Sequence, residues 1–263
     1  MIKAILKSSR FELENLLFKR SVWIITAIYT LFSLVICLSE DLRHSYFSIM
    51  ESVPVTLNNV ALPIALVFIL ISALAPIFAN DREQKIEQIP AACLIGSKGR
   101  SIAKIIGAVA FSVIIVLMLE NITLVICVCF GLTDSDIFIR YVGAEIELTP
   151  VWTSWQHIGF SAATLIVGSI IFAFLVLLIS CSVQSTLSAI SISVIIVFIE
   201  FLINRFSFPT ILQEFNIWVF FRPYYFFVME IFNISPFINL LMMLFAFLPL
   251  CMLSVWRIIR KGI

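Results

Sequence analysis

Charge is scarce in this sequence: Asp, Glu, Lys and Arg make up only 13% of its 263 residues, about half the share carried by a soluble domain. Hydrophobic residues make up 62%, and mean hydropathy is +1.12, so a water-soluble fold is excluded. Histidine is scarcer still. His44 and His157 are the only two, each predicted in an outer loop, and neither has the partners that a nucleophile or a metal cluster requires. There is no linker rich in Gly, Ser or charge, no low-complexity tract and no internal repeat, so the chain reads as one domain, 1–263. Of the six cysteines, Cys37, Cys127, Cys129, Cys181 and Cys251 lie in or beside apolar runs, and Cys93 falls in a segment assigned to the cytosol. Free thiols packed as small apolar groups are expected, with no disulfide framework. The net charge of +1 points to no nucleic-acid partner.

What is present is long apolar runs. A spanning helix needs about 20 apolar residues to cross ~30 Å of hydrocarbon, and lipid leaves no partner for backbone groups outside a helix or closed barrel. Runs at about 22–38, 60–79, 105–130, 158–179, 188–203 and 237–256 predict six spans in an all-α membrane fold. Five Lys and Arg precede span 1, five lie between spans 2 and 3, none between 4 and 5, and three follow span 6. The other side holds four. The positive-inside rule therefore predicts both termini in the cytosol, with Asp134, Asp136, Glu145 and Glu147 in the outer loop 131–157. Two solvated acids, Asp134 and Asp136, fall short of a calcium site. Asn233-Ile234-Ser235 matches a glycosylation sequon by pattern only and receives no role.

Segment 206–237 holds twelve aromatics among thirty-two residues, interrupted by Glu214, Arg222, Glu230, Pro209, Pro223 and Pro236. A seventh crossing would bury Arg222 and carry Arg257, Arg260 and Lys261 outside, so short helices dipping into the outer leaflet are expected instead. At the other end, Ile2, Ile5, Leu6, Ser9, Leu13, Leu16 and Leu17 share one helical face, with Lys3, Lys7, Arg10 and Glu14 opposite. That pattern predicts an interfacial amphipathic helix over 1–21 that turns into span 1.

The cytosolic loop 80–104 reads as a charged continuation of span 2, with Asp81 and Lys85 at i, i+4 spacing. Pro90 should end it. Pro90 to Ile95 followed by Gly96 predicts a short helix, after which Gly99 and Arg100 are expected to turn the chain toward span 3. Its apolar turn, Ala91 to Ile95, suits docking against a protein partner.

Intramembrane charge costs about +2.5 to +3.5 kcal/mol per residue, so Glu120 with Asn121 in span 3 and Glu200 in span 5 need reasons. Counting ~1.5 Å per residue from the inner ends places Glu120 about 22 Å and Glu200 about 18 Å up, in the outer half. Two readings stand: a polar substrate path, with Arg222 beside it, or interhelical hydrogen-bonding groups that reach toward Arg205 or Arg222. Ser180, Ser182, Ser185, Ser188, Ser191 and Ser193 crowd the turn between spans 4 and 5, where small side chains let helices approach.

Taken in order, these features resemble the permease subunits of type-2 ATP-binding-cassette exporters over nearly the whole chain. The resemblance rests on the elbow helix, six spans with both ends inside, the aromatic helices before the last span, and the first cytosolic loop. That loop carries Glu83 and Glu87, then Leu94 and Ile95, then Gly99-Arg100, and Lys104 at the start of span 3. It departs from the commonest family loop in lacking a Gly-Thr step after Glu83. The resemblance implies a coupling helix seated on a separate ATPase, with Glu83, Glu87, Pro90, Leu94, Ile95, Gly96 and Arg100 at the contact. It also implies a path between two permease units, with Glu120, Asn121, Glu200 and Arg222 as candidates to line it. No G-x-x-x-x-G-K-[ST] phosphate loop occurs in the chain, so ATP and Mg are expected on two copies of a partner ATPase, with no cofactor here. A plasma membrane, bacterial by expectation, and an amphipathic or hydrophobic cargo (peptide, lipid or drug) complete the reading. The alternatives are an ion-coupled secondary carrier using Glu120 or Glu200, and a membrane accessory or immunity protein.

Overall fold

The computed structural model describes residues 2–38, 61–84, 96–129, 154–205, 220–221 and 236–261. Among these every extended element is an α-helix, as lipid requires of a backbone that must satisfy itself. The helices are α1 (Ile2–Leu17), α2 (Arg20–Leu38), α3 (Leu62–Leu74), α4 (Pro76–Glu83), α5 (Gly96–Cys129), α6 (Ser154–Ser180), α7 (Thr186–Arg205) and α8 (Pro236–Lys261).

Five stretches among the described residues are long and apolar enough to cross a membrane: Arg20–Leu38, Leu62–Glu83, Gly96–Ile126, Gly159–Ser180 and Leu240–Arg260. The chain is a multi-pass membrane protein. The remaining predicted span, 188–203, falls in α7, whose apolar stretch Thr186–Glu200 is shorter than these five.

At the centre is α3, packed against α2, α5, α6 and α7. Its sequence, LPIALVFILISAL, is apolar on every face, as a fully surrounded helix should be. Only Ile64 and Phe68 turn outward. The peripheral helix α2 reverses the soluble pattern: Val22, Thr26, Tyr29, Ser33 and Cys37 are buried, while Trp23, Ile24, Ile28, Leu31, Phe32 and Val35 are exposed. Lipid is as apolar as leucine, so hydroxyls and small groups go to the helix interface and large apolar side chains face out. Thr26 and Ser33 satisfy their hydroxyls on the carbonyls one turn back.

Helix α1 packs through part of the predicted apolar face: Ser9 and Leu16 of that face are buried, whereas Ile2 and Leu6, nearer its start, are exposed. The contact is with α5, where the glycine at Gly107 lets α1 approach so closely that a Cβ there would lie 3.2 Å from both the Ser9 carbonyl and Glu12 Cβ. Ile2 and Leu6 remain as an apolar strip beside Lys3, Lys7 and Arg10.

Two expectations for the first loop change. The helix that continues span 2 ends at Glu83, well before Pro90. The predicted turn at Gly99-Arg100 is helical instead, because α5 runs unbroken for 34 residues from Gly96. Gly96, the first residue of α5, has φ 65, a left-handed conformation that glycine adopts without a Cβ penalty. At about 1.5 Å per residue α5 is some 50 Å long and projects well beyond ~30 Å of hydrocarbon.

Candidate functional site

The polar groups of the described structure gather in two places, and the larger is where α3 gives way to α4. Pro76 has no N–H to offer the carbonyl four residues earlier, and Ala75, in the capping position, has no side chain to cap with. Side chains from elsewhere bond the backbone around the break. Ser180, at the end of α6, accepts hydrogen bonds from the Phe78 and Ala79 N–H groups at 3.1 and 3.2 Å and donates to the Ala75 carbonyl at 2.7 Å. Lys19, between α1 and α2, donates to the Ala73 carbonyl at 2.6 Å. Lys104 of α5 donates to the Ile77 carbonyl at 2.7 Å.

Asp81 sits at the same level and is 8% exposed. Its carboxylate takes Lys104 Nζ at 2.5 Å and Arg100 Nη2 at 3.2 Å, and the Lys104 ammonium lies 5.0 Å from the centre of the Phe78 ring. The i, i+4 spacing of Arg100 and Lys104 puts both on the α5 face that meets Asp81. Burial pushes the Lys19 ammonium down from 10.5 to about 8; Glu12 opposes the shift and Lys104 adds to it.

One turn further, Arg82 forks onto the turn between α6 and α7, donating to the Val183 carbonyl at 2.9 Å and to the Cys181 carbonyl. Glu83 accepts the N–H of Thr186, the first residue of α7, at 3.1 Å, so a carboxylate meets the positive end of that helix. The ends of α3, α5, α6 and α7 at this level are thus joined through one short helix, α4.

The second group lies inside the bundle. Glu120 of α5 is 9% exposed, and the Ser161 hydroxyl of α6 donates to it at 3.4 Å. One turn along α5, Thr123 meets the Tyr29 hydroxyl of α2 at 2.5 Å. Asn121 points the other way: it is exposed and donates back to the Leu117 carbonyl at 2.6 Å. Glu200 lies half-buried on α7.

Of the residues expected to contact an ATPase, Glu83, Gly96 and Arg100 flank this junction, while Glu87, Pro90, Leu94 and Ile95 lie outside the described residues. Asp81 pairs across to α5, and Lys85, its expected helical neighbour, also lies outside them. Of the path candidates, Glu120 is buried against α6, Asn121 faces away from it, and Arg222 lies outside the described residues. Sequence reasoning gave Lys19 and Arg82 no role, paired Asp81 only along its own helix, and read Ser180 as a small packing residue. The available signal was Pro76 within an apolar run, because a proline there interrupts the helical ladder and opens the backbone around it to side chains from elsewhere. Among the described residues no group of three or more His, Cys, Asp or Glu could hold a metal.

The predicted aromatic segment is described at two residues. Phe220 and Phe221 are both buried, edge-on to Phe247 of α8 and Phe172 of α6 with centroids 5.6 and 6.0 Å apart. Gly168 of α6 makes the slot for Phe220.

No protein-family model matches the chain, and a search of curated proteins finds no similar sequence.

Proposed function

We propose that this chain is the membrane subunit of an ATP-driven exporter of the type-2 ATP-binding-cassette kind. It carries six spans, with α7 as the fifth, and both termini lie in a bacterial cytosol. In this reading α1 is the elbow helix, 85–95 holds the coupling helix, and the aromatic segment around Phe220 re-enters from the outer side. The cargo is an amphipathic or hydrophobic peptide, lipid or drug, and ATP is hydrolysed with Mg on two copies of a separate ATPase chain. The path forms between this subunit and a second permease, identical or homologous.

The observation that supports this best is the junction at α4. A permease without a nucleotide site receives work through contact, and α4, the root of the cytosolic loop, packs against the ends of spans. Buried ion pairs and charge-to-carbonyl bonds suit a root that must move its surroundings without bending. Glu120 supports the second reading, a proton-coupled carrier, since a carboxyl held by one hydroxyl among the described residues is placed to exchange a proton.

The test replaces Leu94 and Ile95 together by Asp. A charge desolvated against an ATPase surface costs several kcal/mol, so the tagged double variant should insert normally yet lose the ATPase on co-purification, or keep it with hydrolysis uncoupled from transport in proteoliposomes held without a proton gradient. A variant that keeps both partner and transport removes the loop from the coupling role. A parent that transports without any ATPase refutes the exporter reading.

A further inference from the structure

The contacts of α4 are of two kinds, and the difference has a mechanical consequence. Toward α5 the contacts reach only side chains of that helix: Lys104 bonds the Asp81 carboxylate and the Ile77 carbonyl, and Arg100 the Asp81 carboxylate. Such contacts slacken by rotamer changes, and a lysine has several to spend. Toward α6 and α7 they end on the main chain. Arg82 holds the Val183 and Cys181 carbonyls, Glu83 holds the Thr186 N–H, and Ser180 is tied to three backbone groups of residues 75–79. A planar guanidinium forked onto two carbonyls two residues apart constrains the path of the turn itself. On the other side, α4 is separated from α3 by the break at Ala75-Pro76, where one helical hydrogen bond is lost.

We propose that α4 and the α6–α7 turn form one rigid body bounded by the Ala75-Pro76 break, and that Arg82 is the positioning residue that joins them. Movement of the loop after Glu83 then reaches the inner ends of α6 and α7 directly, not only its own helix α3. This rests on the reading that a cytosolic ATPase engages that loop.

The test uses the full chain in lipid nanodiscs, with the ATPase that co-purifies from native membranes and is recognised by Mg-ATP hydrolysis. Amide exchange of residues 181–189 is followed without nucleotide and with Mg-ATP plus vanadate. In the parent, vanadate trapping should change exchange at 181–189. In Arg82→Ala the ATPase should stay bound, exchange at 181–189 should rise about tenfold without nucleotide, as loss of a charge-assisted bond implies, and the vanadate response there should vanish. Arg82→Lys, which keeps the charge and can reach one carbonyl, should fall between the two and covers the case in which the alanine variant does not fold. Unchanged exchange and an intact vanadate response in a variant that retains the ATPase overturn the proposal. A parent that binds no ATPase overturns the reading beneath it, and the nucleotide-free exchange then still decides whether Arg82 fastens the turn.

Discussion

Lys104 Nζ lies 2.5 Å from Asp81 Oδ2 with the lysine side chain only 3% exposed, so α4 and α5 are joined by an ion pair withdrawn from water. Removing one partner strands the other. Asp81→Asn or Lys104→Met should each lower stability by about 3 kcal/mol, while the double variant should lose clearly less than the two losses combined. Thermal unfolding of the four proteins in detergent measures the cycle. Additive losses would show that the pair is not coupled.

Lys19 predicts a pH dependence of definite sign. Its ammonium is held near 8 in the folded chain against 10.5 ordinarily, so between those values the unfolded form binds a proton that the folded form lacks. Stability contributed by this group therefore rises as pH climbs from about 8 toward 10.5 and is flat below 8. The difference in unfolding temperature between the parent and Lys19→Met should widen in the parent's favour across that window. A constant difference would place the lysine in water.

Two glycines separate by magnitude. Ala in place of Gly gains about 1 kcal/mol in a helix interior, whereas overpacking costs about 1–3 kcal/mol. At Gly168 an added Cβ would sit 2.5 Å from Phe220 Cβ, too close for any adjustment of a flexible tip, so Gly168→Ala should destabilise. At Gly107 the nearest atoms are at 3.2 Å, so Gly107→Ala should lie near zero. Unfolding temperatures decide the order of the two.

Glu120→Gln keeps a hydrogen-bonding partner for Ser161, so the variant should assemble as the parent does. A substrate path predicts that Glu120→Gln or Glu200→Gln alters transport or substrate-stimulated ATP hydrolysis. Normal transport by both assembled variants would leave these acids without a part in the path.

The orientation predicted from the basic residues is open to a direct check with Cys93 as the sole cysteine. A membrane-impermeant thiol reagent applied to intact cells should leave it unlabelled. Labelling from outside would reverse the topology and remove 80–104 from the cytosol.

Composition and run length determined that this chain is helical and multi-pass, because about 20 apolar residues in lipid admit little else. The same logic located α2, α3, α6 and α8 to within about five residues, and the far end of α5, which begins well before the run at 105. It located the amphipathic segment α1 and its apolar face as well, but not which part of that face meets protein. That part is set by the gap at Gly107, and a helical wheel contains no neighbour to leave one. The loop was read as local punctuation, so Gly99-Arg100 was expected to turn, whereas Arg100 is drawn across to Asp81 while its helix continues. Pro76 was visible as a break, but the donors that satisfy its surroundings come from residues 19, 104 and 180. Periodicity reports what a residue offers to its own helix. Which carbonyl a distant lysine or serine reaches depends on how the helices are stacked, and only the tertiary structure decided that.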